Sequence, residues 1–192
     1  MNIQLVCDAN LRFLDAVVKW PGSVNDKTIW KNCGLKERMD DFLLSQPRNY
    51  KGWLIGDSGY ELRPHMMIPY LDPASAGEMM FNKHHKKCRC TIERAIGTLK
   101  SRFRCTCKQS GGAIPFDVEM FCQIIMSCVV LHNYCRNRNI PFPIAADIED
   151  DIREENEARE AAARQGPNSQ PSNNSLLMGF MTRKLITDTY FK

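Results

Sequence analysis

The order of apolar and polar positions divides this chain into short extended segments followed by longer helical ones. Asn2 to Asp8 and Phe13 to Lys19 are rich in Ile, Leu, Val and Phe, and four residues separate them, which predicts a β-hairpin. Trp20-Pro21-Gly22 stops the second strand. Ser23-Val24-Asn25-Asp26 has the spacing of a capping box, predicting a helix from Val24, with Asp26 read as part of the cap; Gly34 divides it from a second helix reaching about Leu44. Trp53-Leu54-Ile55, bounded by glycines, predicts a short buried strand. Pro64, Pro69 and Pro73 make the stretch from Tyr60 to Phe81 a predicted loop. From about His84 to Arg104, Ile92, Ile96, Leu99 and Phe103 recur at helical spacing as one apolar stripe, with Glu93, Gly97 and Lys100 on the neighbouring stripe. Beyond Gly111-Gly112, Phe116 to Arg138 predicts a strongly apolar helix that turns Phe121, Ile124, Ile125, Cys128, Val129 and His132 to the core.

The character then changes. Asp147 to Arg164 is charged all round, and Gly166 to Ser175 is a Pro/Asn/Ser stretch. The expected organisation is a core over residues 1–140, an acidic, low-complexity linker over 141–175, and a segment over 176–192 whose apolar residues dock back. No stretch reads as a membrane span or a secretory leader, so a soluble intracellular protein is expected.

The net charge of +4 hides a split: residues 1–144 hold 20 basic and 13 acidic side chains, whereas residues 145–165 hold 3 and 8. A basic globular part favours a polyanionic partner through counterion release. Nine cysteines in such a chain read as buried free thiols. Cys88, Cys90, Cys105 and Cys107, or Cys128, His132 and Cys135, are alternative zinc sets, but neither has a paired C-x-x-C spacing.

Two acids carry the candidate chemistry. Asp57, in Gly56-Asp57-Ser58-Gly59-Tyr60, stands at the C-terminal end of the predicted strand. Glu93, separated from it by thirty-five intervening residues, is the only acid between Lys83 and Lys108, among nine Lys/Arg. An acid so placed suits a cation. Phosphodiester cleavage needs one oxygen activated and another stabilised as it leaves, and two divalent ions about 4 Å apart, held by carboxylates, do both. Mg²⁺ or Mn²⁺ accepts such hard oxygen donors. Lys86, Lys87, Arg89, Arg94, Lys100, Arg102 and Arg104 would hold phosphates without reading sequence. Plainer readings stand beside these: Asp57 as a turn residue, Glu93 paired with Arg89 one helical turn earlier, His84 and His85 solvated in a basic run, and His132-Asn133 as packing near a helix end.

Taken together, Val6-Cys7-Asp8, Trp20-Pro21-Gly22-Ser23 with Asp26, Gly56-Asp57-Ser58-Gly59-Tyr60, Pro69, Phe81-Asn82, the run Glu93 to Phe103, and Leu131-His132-Asn133 resemble the PIF/Harbinger transposases and Harbinger transposase-derived nucleases, DDE superfamily endonucleases, over about residues 2–138. The resemblance implies an α/β, RNase H-like fold: a mixed sheet with helices on both faces and three catalytic acids, of which Asp57 matches the second and Glu93 the third. It also implies a nuclear protein that cuts DNA, a divalent cation as cofactor, and a separate Myb-like partner that supplies sequence recognition. The family's first acid lies on a first strand upstream of the segment resembling Asn2 to Asp8, and no residue here matches it. The expectation is therefore an N-terminally truncated nuclease core, inactive or very slow as it stands and poorly stable, its first strand missing between the second and the fourth. A transposase-derived binding protein without chemistry is the alternative.

Overall fold

A computed structural model describes residues 1–45, 52–106, 117–141 and 174–191. The architecture is mixed α/β: β1 (Asn2–Cys7), β2 (Phe13–Trp20), α1 (Asp26–Lys31), α2 (Gly34–Ser45), β3 (Leu54–Ile55), β4 (Met66–Met67), α3 (Ala76–Arg102), α4 (Val118–Asn137) and α5 (Asn174–Tyr190). The predicted acidic segment, most of the linker and the Gly111-Gly112 break lie outside the described residues. The chain divides into two compact units, one of residues 1–24 and 91–161, the other of residues 25–90 and 162–192. The long helix α3 gives its first part to the second unit and its last part to the first.

The first unit is built on the predicted hairpin. β1 and β2 pair antiparallel, with Leu5 opposite Ala16. Asp8 closes the turn: its Oδ1 accepts the N–H of Asn10 and of Arg12, which lets Leu11 take a positive φ of 62°. One face of the hairpin packs Leu5, Cys7, Leu11, Phe13 and Ala16 on Ile92, Ala95, Leu99 and Phe103 of α3 and the turn after it, and on Ile124, Cys128 and Val129 of α4. The four-residue and three-residue spacings in α3 and α4 put these side chains on single faces, as the sequence predicted. By length and composition α4 is long and apolar enough to cross a membrane, contrary to the sequence reading. Its Ile125, Cys128, Val129 and His132 are nonetheless buried against the rest of this unit.

In the second unit α1 begins later than the capping-box spacing suggested. Asn25, not Ser23, is the N-cap, its side chain accepting from the Thr28 N–H, and Asp26 opens the first turn. β3 is only two residues long and pairs in parallel with β4, Leu54 opposite Met66 and Ile55 opposite Met67. It is not the buried strand expected: Ile55 is exposed, because one short neighbour covers one edge only. The predicted Pro-rich loop contains β4 and yields to α3 at Ala76, eight residues before the expected helix start, with Ser75 and Glu78 tying the first turn. Met67, Leu62, Phe81 and Leu176 form the core of this unit, joined by Ile186 and Phe191 at the chain end. Arg183 on α5 is buried; it donates to the carbonyls of Ile68 and Pro69 and stacks 3.8 Å from the Tyr70 ring. The described strands thus form two separate two-stranded sheets rather than one mixed sheet.

Candidate metal centre

Asp57 stands two residues past β3, after Gly56. Gly56 donates its N–H to the Met67 carbonyl at 2.9 Å, continuing the ladder by one bond, and the chain then turns through Asp57, whose carbonyl accepts the Tyr60 N–H. A side chain at position 56 would meet Met66 Sδ at 2.9 Å and the Tyr60 ring at 3.0 Å, so only glycine fits under that turn. Each oxygen of the Asp57 carboxylate has a neighbour. Oδ1 accepts the Gly59 N–H at 2.9 Å, an Asx-type turn, and Oδ2 lies 3.3 Å from Nη2 of Arg89. Both side chains are partly buried. The geometry bears out the turn reading of Asp57.

Gly59 has a second consequence. A Cβ there would stand 3.0 Å from Asp57 Oδ1 and 3.5 Å from Asp26 Oδ2. The missing side chain leaves a cradle flanked by two carboxylates, one from the first turn of α1 and one from the end of β3. Its hard oxygen donors fit a divalent cation. Sequence reasoning took Asp26 for a helix cap; Asn25 holds that place, and Asp26 stands in the first turn with Oδ2 beside the Gly59 position, which no local signal announces.

α3 supports Asp57 from one face. Asn82, His85 and Arg89 follow at spacings of three and four, so they line one side of the helix. Asn82 donates to the Tyr70 carbonyl and accepts the Tyr70 N–H, both at 2.8 Å. His85 Nε2 donates to the Met67 carbonyl at 3.2 Å, and Arg89 reaches Asp57. His84 is exposed, as a solvated histidine should be, but His85 is buried, and burial lowers its pKa. The resemblance to Phe81-Asn82 hinted at this face; the basic composition around it hid the histidine.

The remaining predicted site residues are spread along α3 and just past it. Lys86 and Lys87 are exposed, and Arg94 and Arg104 are exposed in the other unit. Glu93 is half-buried at the edge of the α3 stripe, and Lys100 is half-buried on the same side. Arg102 is spent internally, donating to the Ile140 carbonyl at 2.8 Å. Glu93 and Asp57 belong to different units.

The zinc sets fare poorly. His132 is fully buried with Nε2 donating to the Leu11 carbonyl at 2.7 Å. Burial, reinforced by the neighbouring Cys105 Sγ at 3.9 Å, pushes the Cys128 thiol up to about 11, away from the thiolate zinc requires. Cys107 lies outside the described residues. Among the described residues no group of three or more His, Cys, Asp and Glu side chains is placed to hold a metal.

A family model described as DDE superfamily endonuclease matches residues 1–133. The chain is 34% identical over 133 residues to the protein named "Putative nuclease HARBI1" in Mus musculus, an alignment covering 69% of this chain and 36% of that protein. Against the Bos taurus protein of the same name it is 30% identical over 164 residues, 84% of this chain and 45% of the relative. Against "Protein ALP1-like" of Arabidopsis thaliana it is 32% identical over 142 residues, 69% of this chain and 34% of the relative. No solved structure matches. The chain spans less than half the length of these curated relatives. With the family match running from β1 through most of α4 and taking in both candidate acids, the chain belongs to the DDE superfamily endonucleases, of the Harbinger transposase-derived kind.

Proposed function

We propose that this chain is part of the RNase H-like catalytic core of a divalent-metal-dependent DNA endonuclease, in which Asp57 and Glu93 are two of the carboxylates the reaction uses. The observation that carries the reading is the setting of Asp57: a strand-end carboxylate, oriented by the Gly59 N–H, with the Asp26 carboxylate across a cradle that a Cβ would fill. Mg²⁺ or Mn²⁺ held there supplies Lewis-acid charge against the negative charge that develops on a phosphodiester during cleavage. The chain's own part is to hold the carboxylates oriented before DNA arrives, and to draw phosphates to the exposed Lys86, Lys87, Arg94 and Arg104. Such contacts are sequence-independent. A separate Myb-like protein would supply target choice, and the nucleus is the compartment in which this chemistry meets its substrate.

A second reading rests on a different observation: among the described residues no group of three or more metal-ligating side chains assembles. On that reading the chain is a transposase-derived protein that keeps a DNA- or protein-binding surface and has lost cleavage.

One experiment separates them. Supercoiled plasmid is incubated with the chain in Mg²⁺ or Mn²⁺, beside Asp57→Asn and Glu93→Gln, and binding to a short duplex is followed by fluorescence anisotropy. Metal-dependent nicking by the unsubstituted chain that both variants lose supports the endonuclease. Duplex binding that all three proteins share, with no nicking by any, supports the binding protein.

A further inference from the structure

The contact between Arg89 and Asp57 is unlike two other Arg–carboxylate pairs among the described residues. Arg12 places both Nε and Nη2 on Asp8 at 2.8 and 2.7 Å, and Arg63 places Nε and Nη2 on Glu61 at 3.2 and 2.7 Å. Arg89 makes one contact with Asp57, at 3.3 Å, longer than the roughly 2.7–2.9 Å of a full charge-assisted bond. The backbone beneath it is firmly seated: Asn82 and His85 tie the same face of α3 to Tyr70 and Met67. A long side chain on a fixed helix, loosely touching a carboxylate whose other oxygen is held separately, is built to let go. The cation reading sets the same demand, because a divalent ion in the Gly59 cradle beside Oδ1 and a guanidinium on Oδ2 share one carboxylate and repel each other across it.

We propose that Arg89 is the resident counter-ion of Asp57: a positioning residue that holds the carboxylate by Oδ2 while no metal is present, lets go when a divalent cation takes Oδ1 in the Gly59 cradle, and turns its freed guanidinium to a phosphate of the DNA. This inference rests on the reading of Asp57 as a metal ligand. It makes metal and DNA binding mutually reinforcing, since whatever metal does to DNA affinity through Arg89, DNA does equally to metal affinity. It also makes the availability of Arg89 to phosphate conditional on metal.

The test uses the full chain and Mn²⁺ alone, with free ion measured by electron paramagnetic resonance. Arg89→Gln should tighten Mn²⁺ by about fivefold or more, the effect of one unit charge at this range in a water-like medium. Lys83→Gln, which removes an exposed charge elsewhere on α3, should change it by less than about twofold, because a solvated charge is screened. Asp57→Asn should weaken it. If Asp57→Asn leaves Mn²⁺ affinity unchanged, the metal reading of Asp57 falls. If Asp57→Asn weakens Mn²⁺ but Arg89→Gln does not tighten it beyond Lys83→Gln, the counter-ion role falls while the metal reading stands. DNA gives the second readout: Arg89→Gln should cost duplex affinity in Ca²⁺ and leave it unchanged in chelator, and an equal cost in both overturns the exchange. Should Arg89→Gln fail to fold, the unsubstituted chain decides. Saturating Mg²⁺ should move the Arg89 side-chain signal in a ¹⁵N-arginine NMR spectrum, and an unmoved signal overturns the proposal.

Discussion

Asn133 on α4 grips both backbone polar groups of Phe13 on β2: its Oδ1 accepts the Phe13 N–H at 2.8 Å and its Nδ2 donates to the Phe13 carbonyl at 2.7 Å. Phe13 begins β2 at the end of the hairpin turn, where its partner on β1 is Cys7 across a register shift. The carboxamide therefore does for this residue what a neighbouring strand does for others. Asn82 repeats the device on Tyr70 in the second unit. Asn133→Ala leaves a donor and an acceptor unpaired in a partly buried setting, at about 1–3 kcal/mol for each. The expected result is a lower urea midpoint with an unchanged slope, and a variant as stable as the parent would show that water replaces the carboxamide.

Gly59→Ala tests the cradle. The added methyl would press on Asp57 Oδ1 at 3.0 Å, a contact the carboxylate relieves only by rotating. Mn²⁺ affinity should fall by about tenfold, the equivalent of ~1.4 kcal/mol, while the far-UV circular dichroism spectrum stays that of the parent. Unchanged affinity would place the cation away from the Asp26 side of Asp57.

Gly179 tests the seating of the chain end. A Cβ there would meet the Arg63 backbone at 3.0–3.1 Å on three atoms, and backbone does not step aside as a side-chain tip can. Gly179→Ala should lower stability by about 1–3 kcal/mol, the usual cost of overpacking, despite alanine's better helix propensity. Hydrogen exchange should quicken in α5 and in the loop held by Arg183 before it quickens in the hairpin.

Acid should destabilise this protein through its histidines. Burial lowers the pKa of His65, His85 and His132 below 6.5 in the folded chain. His65 is completely buried, and neither ring nitrogen has a hydrogen-bond partner among the described residues; the Asp40 carboxylate at 3.6 Å opposes the shift only in part. Because the unfolded chain takes up these protons first, the neutral rings contribute stability that is whole above pH 6.5 and is lost as pH falls below 6.5 towards the folded-state values. The slope of unfolding free energy in that window is at most about 1.4 kcal/mol per pH unit for each histidine. Urea melts between pH 8 and pH 5 check this, and His132→Asn should flatten the curve. A profile that rises as pH falls from 7 to 6 would reverse the sign and overturn the assignment.

Elements with a strong local signal are legible in the amino-acid sequence. The hairpin rests on two runs rich in Ile, Leu, Val and Phe, and the stripes on α3 and α4 rest on helical spacing, so the core places of Leu99, Cys128 and Val129 follow from pattern, whereas Ala95 and Leu11 join them only in the fold. Boundaries without such a signal are not legible in this way. The proline-rich stretch hides β4 because two residues show no periodicity, and α3 begins early because Ser75 and Glu78 cap it among residues with no apolar stripe. The cap of α1 lies two residues later than its spacing suggests because Asn25, not Ser23, supplies the capping acceptor, to the Thr28 N–H.

What the sequence determined by itself is the family, the element types and the identity of the isolated acids, since these depend on residue kind and on distance along the chain. Tertiary structure decided everything that depends on which side chains meet. It turned Asp26 from a cap into a carboxylate facing Gly59, buried His85 while its neighbour His84 stayed in water, and bound Arg89 to Asp57, thirty-two positions away. The physical reason is one of range. Propensity, capping and periodicity are set within a turn or two of the chain, whereas a charge pair or a buried ring is fixed by packing among segments whose separation in sequence carries no local trace.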